Sequence, residues 1–196
     1  MVVLVRKGNL MNQRLAWAIT GSGHYLRECL DIIHTLHDVD LFLSKAAAEV
    51  LQQYGYKHNV GKVFQDKTAS SVPVELFYQG HYHSLIIAPA TSNTIAKMVY
   101  GISDNLVTNL YAQAGKTRVP SIIFACDTAA ELESEAPRDN MVKVYPRKID
   151  LENIEKIKTF EATTVVDNMH GLNAQVQARL LALSQAVTHT EVLTET

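Results

Sequence analysis

The sequence predicts an α/β fold, a three-layer doubly wound parallel sheet in a single domain spanning residues 1–196. Two observations carry this. Short apolar runs recur at intervals too wide for hairpins, and between them lie stretches whose apolar residues repeat at helical spacing. Such alternation favours parallel strands joined by right-handed helical crossovers, which cover both faces of the sheet.

In chain order, Met1 to Val5 is apolar but too short for a signal peptide, with Arg6 and Lys7 on the wrong side of it, so residues 1–13 read as an N-terminal strap. Leu15 to Thr20 reads as the first buried strand, Gly21-Ser22-Gly23 as a turn, and His24 to Leu36 as a helix. Val39 to Leu43 is the second strand, Ser44 an N-cap, and Lys45 to Tyr54 a helix that Gly55 closes. His58 to Ser71 is polar and aperiodic, a surface excursion before Val74 to Tyr78. Leu85 to Ala88 is the third clear strand, ended by Pro89, and Asn93 caps a helix from Thr94 to Ala114 with a break at Gly101. Ser121 to Ala125 is a fourth strand. Glu131 to Asn140 reads as acidic loop, Asp150 as the cap of a helix over Leu151 to Thr159, Thr163 to Val166 as a short strand, and Leu172 to Ala186 as the last helix. Residues 188–196 read as a frayed tail.

Composition narrows the function. A net charge of -2 with no long Lys/Arg run speaks against nucleic-acid binding, and no apolar run reaches the roughly 18 residues of a membrane span. Two cysteines, Cys29 and Cys126, offer neither a disulfide framework nor a zinc set, and the expected compartment is the cytoplasm. His34 with His37, and His81 with His83, lack a third ligand at diagnostic spacing, so no metal is expected. Cys126, at the end of an apolar strand, reads as a small buried hydrophobe.

The candidate site lies in the loops after three strands. Gly21, Ser22 and Gly23 open the first crossover, and their amides face the positive end of a helix, where a phosphate is favoured. The turn is not the dinucleotide fingerprint, because position 26 is leucine. Ser44 adds a hydroxyl at a second helix start. Ala90, Thr91 and Ser92, with Pro89, Asn93 and Thr94, form a small-residue loop that a flat ligand can approach. Together they suit a mononucleotide lying across the carboxyl edge of the sheet.

The run PATSNTIAK followed by GISDNL resembles the signature of the homo-oligomeric flavin-containing flavoproteins, which include cysteine decarboxylases, flavin prenyltransferases and archaeoflavoprotein-like reductases. The resemblance covers Leu15 to Asp127 and implies a flavodoxin-like, Rossmann-like fold, FMN as cofactor and assemblies built from trimers. Departures from the pattern choose among members. Fourteen residues before Pro89, where decarboxylases of the family carry a histidine, stands Glu75, and the Pro-Ala-Met-Asn clamp is replaced by Phe124-Ala125-Cys126-Asp127-Thr128-Ala129. Ser92-Asn93-Thr94 does not match the prenyltransferase loop. The remainder looks most like the dihydromethanopterin reductase and archaeoflavoprotein group.

That resemblance implies an FMN-dependent oxidoreductase reducing a dihydropterin, dihydromethanopterin, by ping-pong hydride transfer, with NAD(P)H or another soluble reductant as donor. The alternatives it leaves are an FMN electron carrier and, lower in rank, a decarboxylase. Two cysteines cannot ligate a four-cysteine iron-sulfur cluster, so FMN is the expected redox centre. The cofactor-binding residues it implies are Gly21, Ser22, Gly23, Ser44, Pro89, Ala90, Thr91, Ser92, Asn93 and Thr94. No catalytic residue is assigned. Lys97, one turn into the helix, reads as a solvated or interface lysine ahead of a part in the flavin pocket, and Asp104 and Asn105 either line a pocket shared between subunits or, for Asp104, cap a helix restarting after Gly101.

Overall fold

The computed structural model describes residues 13–67, 74–136 and 140–194, with side chains described as far as residue 186. Six strands run parallel in the order β3-β2-β1-β4-β5-β8: β1 (Arg14–Ile19), β2 (Val39–Leu43), β3 (Lys62–Gln65), β4 (Tyr82–Ala90), β5 (Ser121–Ala125) and β8 (Thr163–Val166). The helices are α1 (Leu26–His34), α2 (Lys45–Tyr54), α3 (Glu75–Tyr78), α4 (Ser92–Val99), α5 (Leu106–Thr117), α6 (Lys148–Ile157) and α7 (Met169–Thr194). A separate antiparallel hairpin, β6 (Leu132–Ala136) and β7 (Asn140–Val144), stands outside the sheet.

Strand alternation divides the core in two. Leu15, Trp17 and Ile19 of β1 face one way, with Leu41, Ile86 and Phe124, against α1, α2 and the start of α7. Ala16 and Ala18 face the other way, with Phe42, Leu85, Ile87 and Ile123, against α3 to α6. The central strands are buried on both faces, so they read as unbroken apolar runs. Trp17 keeps its indole N–H satisfied by donating to the Ala88 carbonyl at 2.8 Å.

Several sequence expectations are corrected. The excursion at residues 58–71 contains β3, an edge strand with no fully buried side chain, and Glu75 to Tyr78 folds as the short α3. The acidic stretch from Glu131 is the hairpin β6–β7, its arms paired from Leu132↔Val144 to Ala136↔Asn140. Pro89 does not end β4. Its carbonyl still accepts from the Thr20 N–H at 3.2 Å, and the strand continues to Ala90 through a register shift where the proline supplies no donor. The long helix does break at Gly101, as expected, into α4 and α5; the glycine's φ of +69° is one that an L side chain would resist.

Three caps also move. Thr91 rather than Asn93 caps α4, because its extended backbone (φ −71°, ψ 152°) turns its hydroxyl back to accept from the Thr94 N–H. Asn105 rather than Asp104 caps α5, through a reciprocal box with Thr108. Asp150 sits inside the first turn of α6, bonded to Arg147, where the helix starts three residues earlier than expected. The expected tail is helical: α7 runs to Thr194. The expected strap lies outside the described residues.

Candidate active site at the carboxyl edge of the sheet

The strand order places the site. Crossovers to one side of β1 build β2 and β3, and to the other side β4, β5 and β8, so the chain reverses direction between β1 and β4. The loops leaving those two strands diverge and leave a crevice, the usual ligand position in open parallel sheets. Three loops named from sequence therefore meet there: Gly21 to Gly23 after β1, Ser44 after β2, and Pro89 to Thr94 after β4.

Thr20 fastens the two lips of the crevice. Its hydroxyl donates to the Pro89 carbonyl at 2.8 Å and accepts the Thr91 N–H at 2.9 Å. The residue is 2% exposed, so this pairing also satisfies a buried hydroxyl. Sequence reasoning passed over Thr20; a threonine ending an otherwise apolar strand was the available signal.

The glycines are required by packing. A Cβ on Gly21 would lie 2.5 Å from the Ala46 Cβ of α2, and one on Gly23 would lie 2.2 Å from the Tyr54 hydroxyl. Helix α2 can thus press against the first turn, bringing Ser44 and the turn together. The Ser44 hydroxyl accepts from the Ala47 N–H at 3.0 Å as an N-cap. Among the described residues its own proton has no acceptor, so it can be donated outward. The first amides of the ten-residue α2, from Lys45 and Ala46, have no acceptor within the helix. These groups are the donor set that an anion at a helix N-terminus needs.

On the other lip, Pro89 and Ala90 are buried and their carbonyls are engaged, the first by Thr20 and the second by the Cys126 N–H at 3.3 Å. They set the course of the loop. The groups that can face a ligand are Thr91 and Thr94, both half-buried, the exposed Asn93, and the Ser92 hydroxyl, which donates to Asp127 Oδ2. Lys97 turns away to an ion pair with Asp104 at 2.6 Å, and this bond holds the Asp104 carboxyl below its ordinary value.

Sequence reasoning also missed what closes over the first turn. Glu135 of β6 donates its backbone N–H to His24 Nδ1 at 3.2 Å, and its carbonyl accepts from the Tyr54 hydroxyl at 3.3 Å. Burial holds the His24 imidazole below its ordinary pKa of 6.5, against the pull of Glu28, Glu135 and Asp127. With Nδ1 accepting, the neutral ring carries its proton on Nε2. Cys126 lies beneath the crevice with Ser22 within hydrogen-bonding reach, and burial pushes its thiol up to about 12, so it is an inert hydrophobe as expected.

The histidine pairs take no part. His81 and His83 flank the start of β4, eight residues and about 25 Å of extended chain from Ala90. No group of three metal-ligating side chains occurs among the described residues, and no described helix is long and apolar enough to cross a membrane.

The model of the flavoprotein family matches residues 5–188. The chain belongs to the flavoprotein family. A flavoprotein of known structure, DmrB from Burkholderia xenovorans, solved in complex with FMN as a cubic protein cage for redox transfer, is 46% identical to it. The match covers 88% of this chain and 98% of DmrB, with a TM-score of 0.82. The dihydromethanopterin reductase (acceptor) of Methanosarcina mazei is 37% identical over 142 residues, 64% of this chain and 59% of the reductase. An uncharacterized protein of Methanocaldococcus jannaschii is 36% identical over 165 residues, 79% of this chain and 89% of that protein. The chain thus spans little more than half of the M. mazei reductase.

Proposed function

We propose that this flavoprotein is an FMN-dependent reductase of a dihydropterin of the dihydromethanopterin type. The observation that carries the flavin reading is the donor set gathered at the β2, β1 and β4 loops. The Ser44 proton, the Gly21 to Gly23 turn and the open amides of α2 suit the doubly charged phosphate of FMN. Thr91, Ser92, Asn93 and Thr94 then serve the ribityl chain and the ring. The FMN complex of DmrB supports the cofactor, and the M. mazei reductase supports the substrate class.

When bound, FMN would supply hydride chemistry between a soluble donor such as NAD(P)H and the imine carbon of the dihydropterin, whose imine nitrogen would take its proton from a side chain or water. The protein's share is to hold the phosphate at the β1 and β2 loops, to orient the ring against the β4 loop, and to leave one face open for donor and acceptor in turn. A homo-oligomer built from trimers, in the cytoplasm, completes the reading.

The test is an anaerobic visible spectrum of the FMN-loaded protein. NADPH should bleach the flavin bands, and 6-methyl-7,8-dihydropterin should restore them with formation of the tetrahydropterin. Bleaching without recovery on the pterin would make the protein an electron carrier instead.

A further inference from the structure

Asp127 is a carboxylate that the fold brings to the crevice from the end of β5. It follows β5 and Cys126 directly, and its Oδ2 accepts the hydroxyl of Ser92, the first residue of α4. Ser92 is 8% exposed and anchored in the first turn of a helix, so this bond fixes the carboxylate beside the β4 loop. The charge lies near enough to His24 and Cys126 to bear on both. Among the described residues, Oδ1 has no hydrogen-bond partner, although Asp127 itself is half-buried. A carboxylate oxygen held in place with unused accepting capacity is suited to a ligand that donates.

The chemistry of that ligand can be narrowed. The pyrimidine edge of a flavin presents one N–H between two carbonyls, and a carboxylate facing it meets one donor and two like dipoles. The same edge of a 2-amino-4-oxopteridine presents two adjacent donors, the ring N3–H and the exocyclic amine. A carboxylate accepts two parallel hydrogen bonds from such an edge, as it does from a guanidinium. From the next residue on, Thr128 and Ala129 line a cavity of about 620 Å³ whose walls are both apolar, at Leu151 and Val166, and charged, at Lys148 and Asp167, which leaves room for the rest of the ligand.

We propose that Asp127, positioned by Ser92, is the specificity residue that recognises the 2-amino-4-oxo edge of the pterin substrate. This rests on the dihydropterin reading above and adds to it the group that selects a pterin over other flat heterocycles.

The experiment compares two probes on the FMN-loaded protein, 6-methyl-7,8-dihydropterin and its 2-oxo counterpart, 6-methyl-7,8-dihydrolumazine. The readouts are the dissociation constant by equilibrium titration of the oxidised protein and the rate of reoxidation of the reduced flavin. The wild type should prefer the pterin by about tenfold to a hundredfold, the range of a charged hydrogen-bonded contact. Asp127→Asn should lose that preference while keeping its FMN content and its bleaching by NADPH. Ser92→Ala, which frees the carboxylate without removing it, should weaken binding of the pterin and keep part of the preference. Pterin turnover with no preference for the 2-amino probe, or a preference that survives in Asp127→Asn, overturns the assignment and leaves the reductase reading intact. Failure of the wild type to reoxidise with either probe removes the reductase reading, and this assignment falls with it.

Discussion

The two edges of the sheet both gather polar side chains, and they do so in opposite ways. At the amino edge Asp40 of β2 is fully buried, and both of its carboxylate oxygens are engaged by the fold: Arg14 Nε donates to Oδ1 at 2.7 Å, the Tyr82 hydroxyl donates to Oδ2 at 2.8 Å, and Lys62 Nζ and His81 Nε2 stand 3.6 and 3.8 Å from Oδ2. Arg14 goes on to bond Asp38 at 2.9 Å and the Val39 carbonyl at 3.1 Å. At the carboxyl edge the Ser44 hydroxyl is used once, as a cap, and retains capacity toward the crevice, while the Thr91 hydroxyl caps Thr94 and also bonds the Thr94 hydroxyl at 3.1 Å. A buried polar group whose partners all come from the fold holds the fold together; one with capacity left over is available to a ligand.

The sharpest way to break this comparison is to remove the buried Asp40 carboxylate. Asp40→Ala leaves the buried Tyr82 hydroxyl and part of the half-buried Arg14 guanidinium unpaired, and should cost about 3 kcal/mol in urea unfolding. FMN affinity of the folded protein should stay as it was. An altered affinity with unchanged stability would give the amino edge a role in the site and dissolve the contrast.

Gly21→Ala attacks the other edge. Its Cβ would meet Ala46 at 2.5 Å, so α2 must shift and carry Ser44 with it. Overpacking of this kind costs about 2 kcal/mol. FMN binding should weaken about tenfold or more in a fluorescence titration, equivalent to roughly 1.4 kcal/mol, so this variant should lose ligand as well as stability.

The smallest effect sharpens the contrast through pH. Burial lowers the folded-state pKa of His24 below 6.5, so its neutral form favours the folded state. That contribution is complete above about pH 6.5 and is lost as pH falls through the lower folded value. Because the neutral ring accepts the Glu135 N–H, acid should release the hairpin from the first turn. The protection factor of the Glu135 amide in hydrogen exchange should fall as pH drops from 7 toward 5, by a few tenths of a kcal/mol or more. An unchanged factor would show that the hairpin is held by other contacts.

The legibility of the sequence followed burial. Strands β1, β2, β5 and β8 lay where the apolar runs and β-branched residues put them, because burial on both faces, or on one for an edge, leaves a strong compositional mark. Ser44 and Gly55 were readable as a cap and a left-handed stop because those jobs are local. The edge strand β3, four residues with lysine and glutamine at its ends, leaves no such mark. The hairpin LESEA has an acidic, solvated face and is placed by backbone bonds to His24 and Tyr54, more than eighty residues away. The three loops of the proposed site were legible in sequence order, since each begins at a strand end. Thr20, Asp127 and Glu135 were not, because what they do is set by partners in other crossovers.

The central claim is that the phosphate of FMN lies between the Gly21 to Gly23 turn and Ser44. It is tested most directly by titrating the flavin-free protein with FMN and with riboflavin, which lacks the phosphate, in wild type and Ser44→Ala. The wild type should bind FMN about a hundredfold more tightly than riboflavin, as two charge-assisted hydrogen bonds would give, and Ser44→Ala should cut that preference about tenfold. Equal affinity for the two flavins, or a preference untouched in Ser44→Ala, would contradict the placement of the phosphate at this edge.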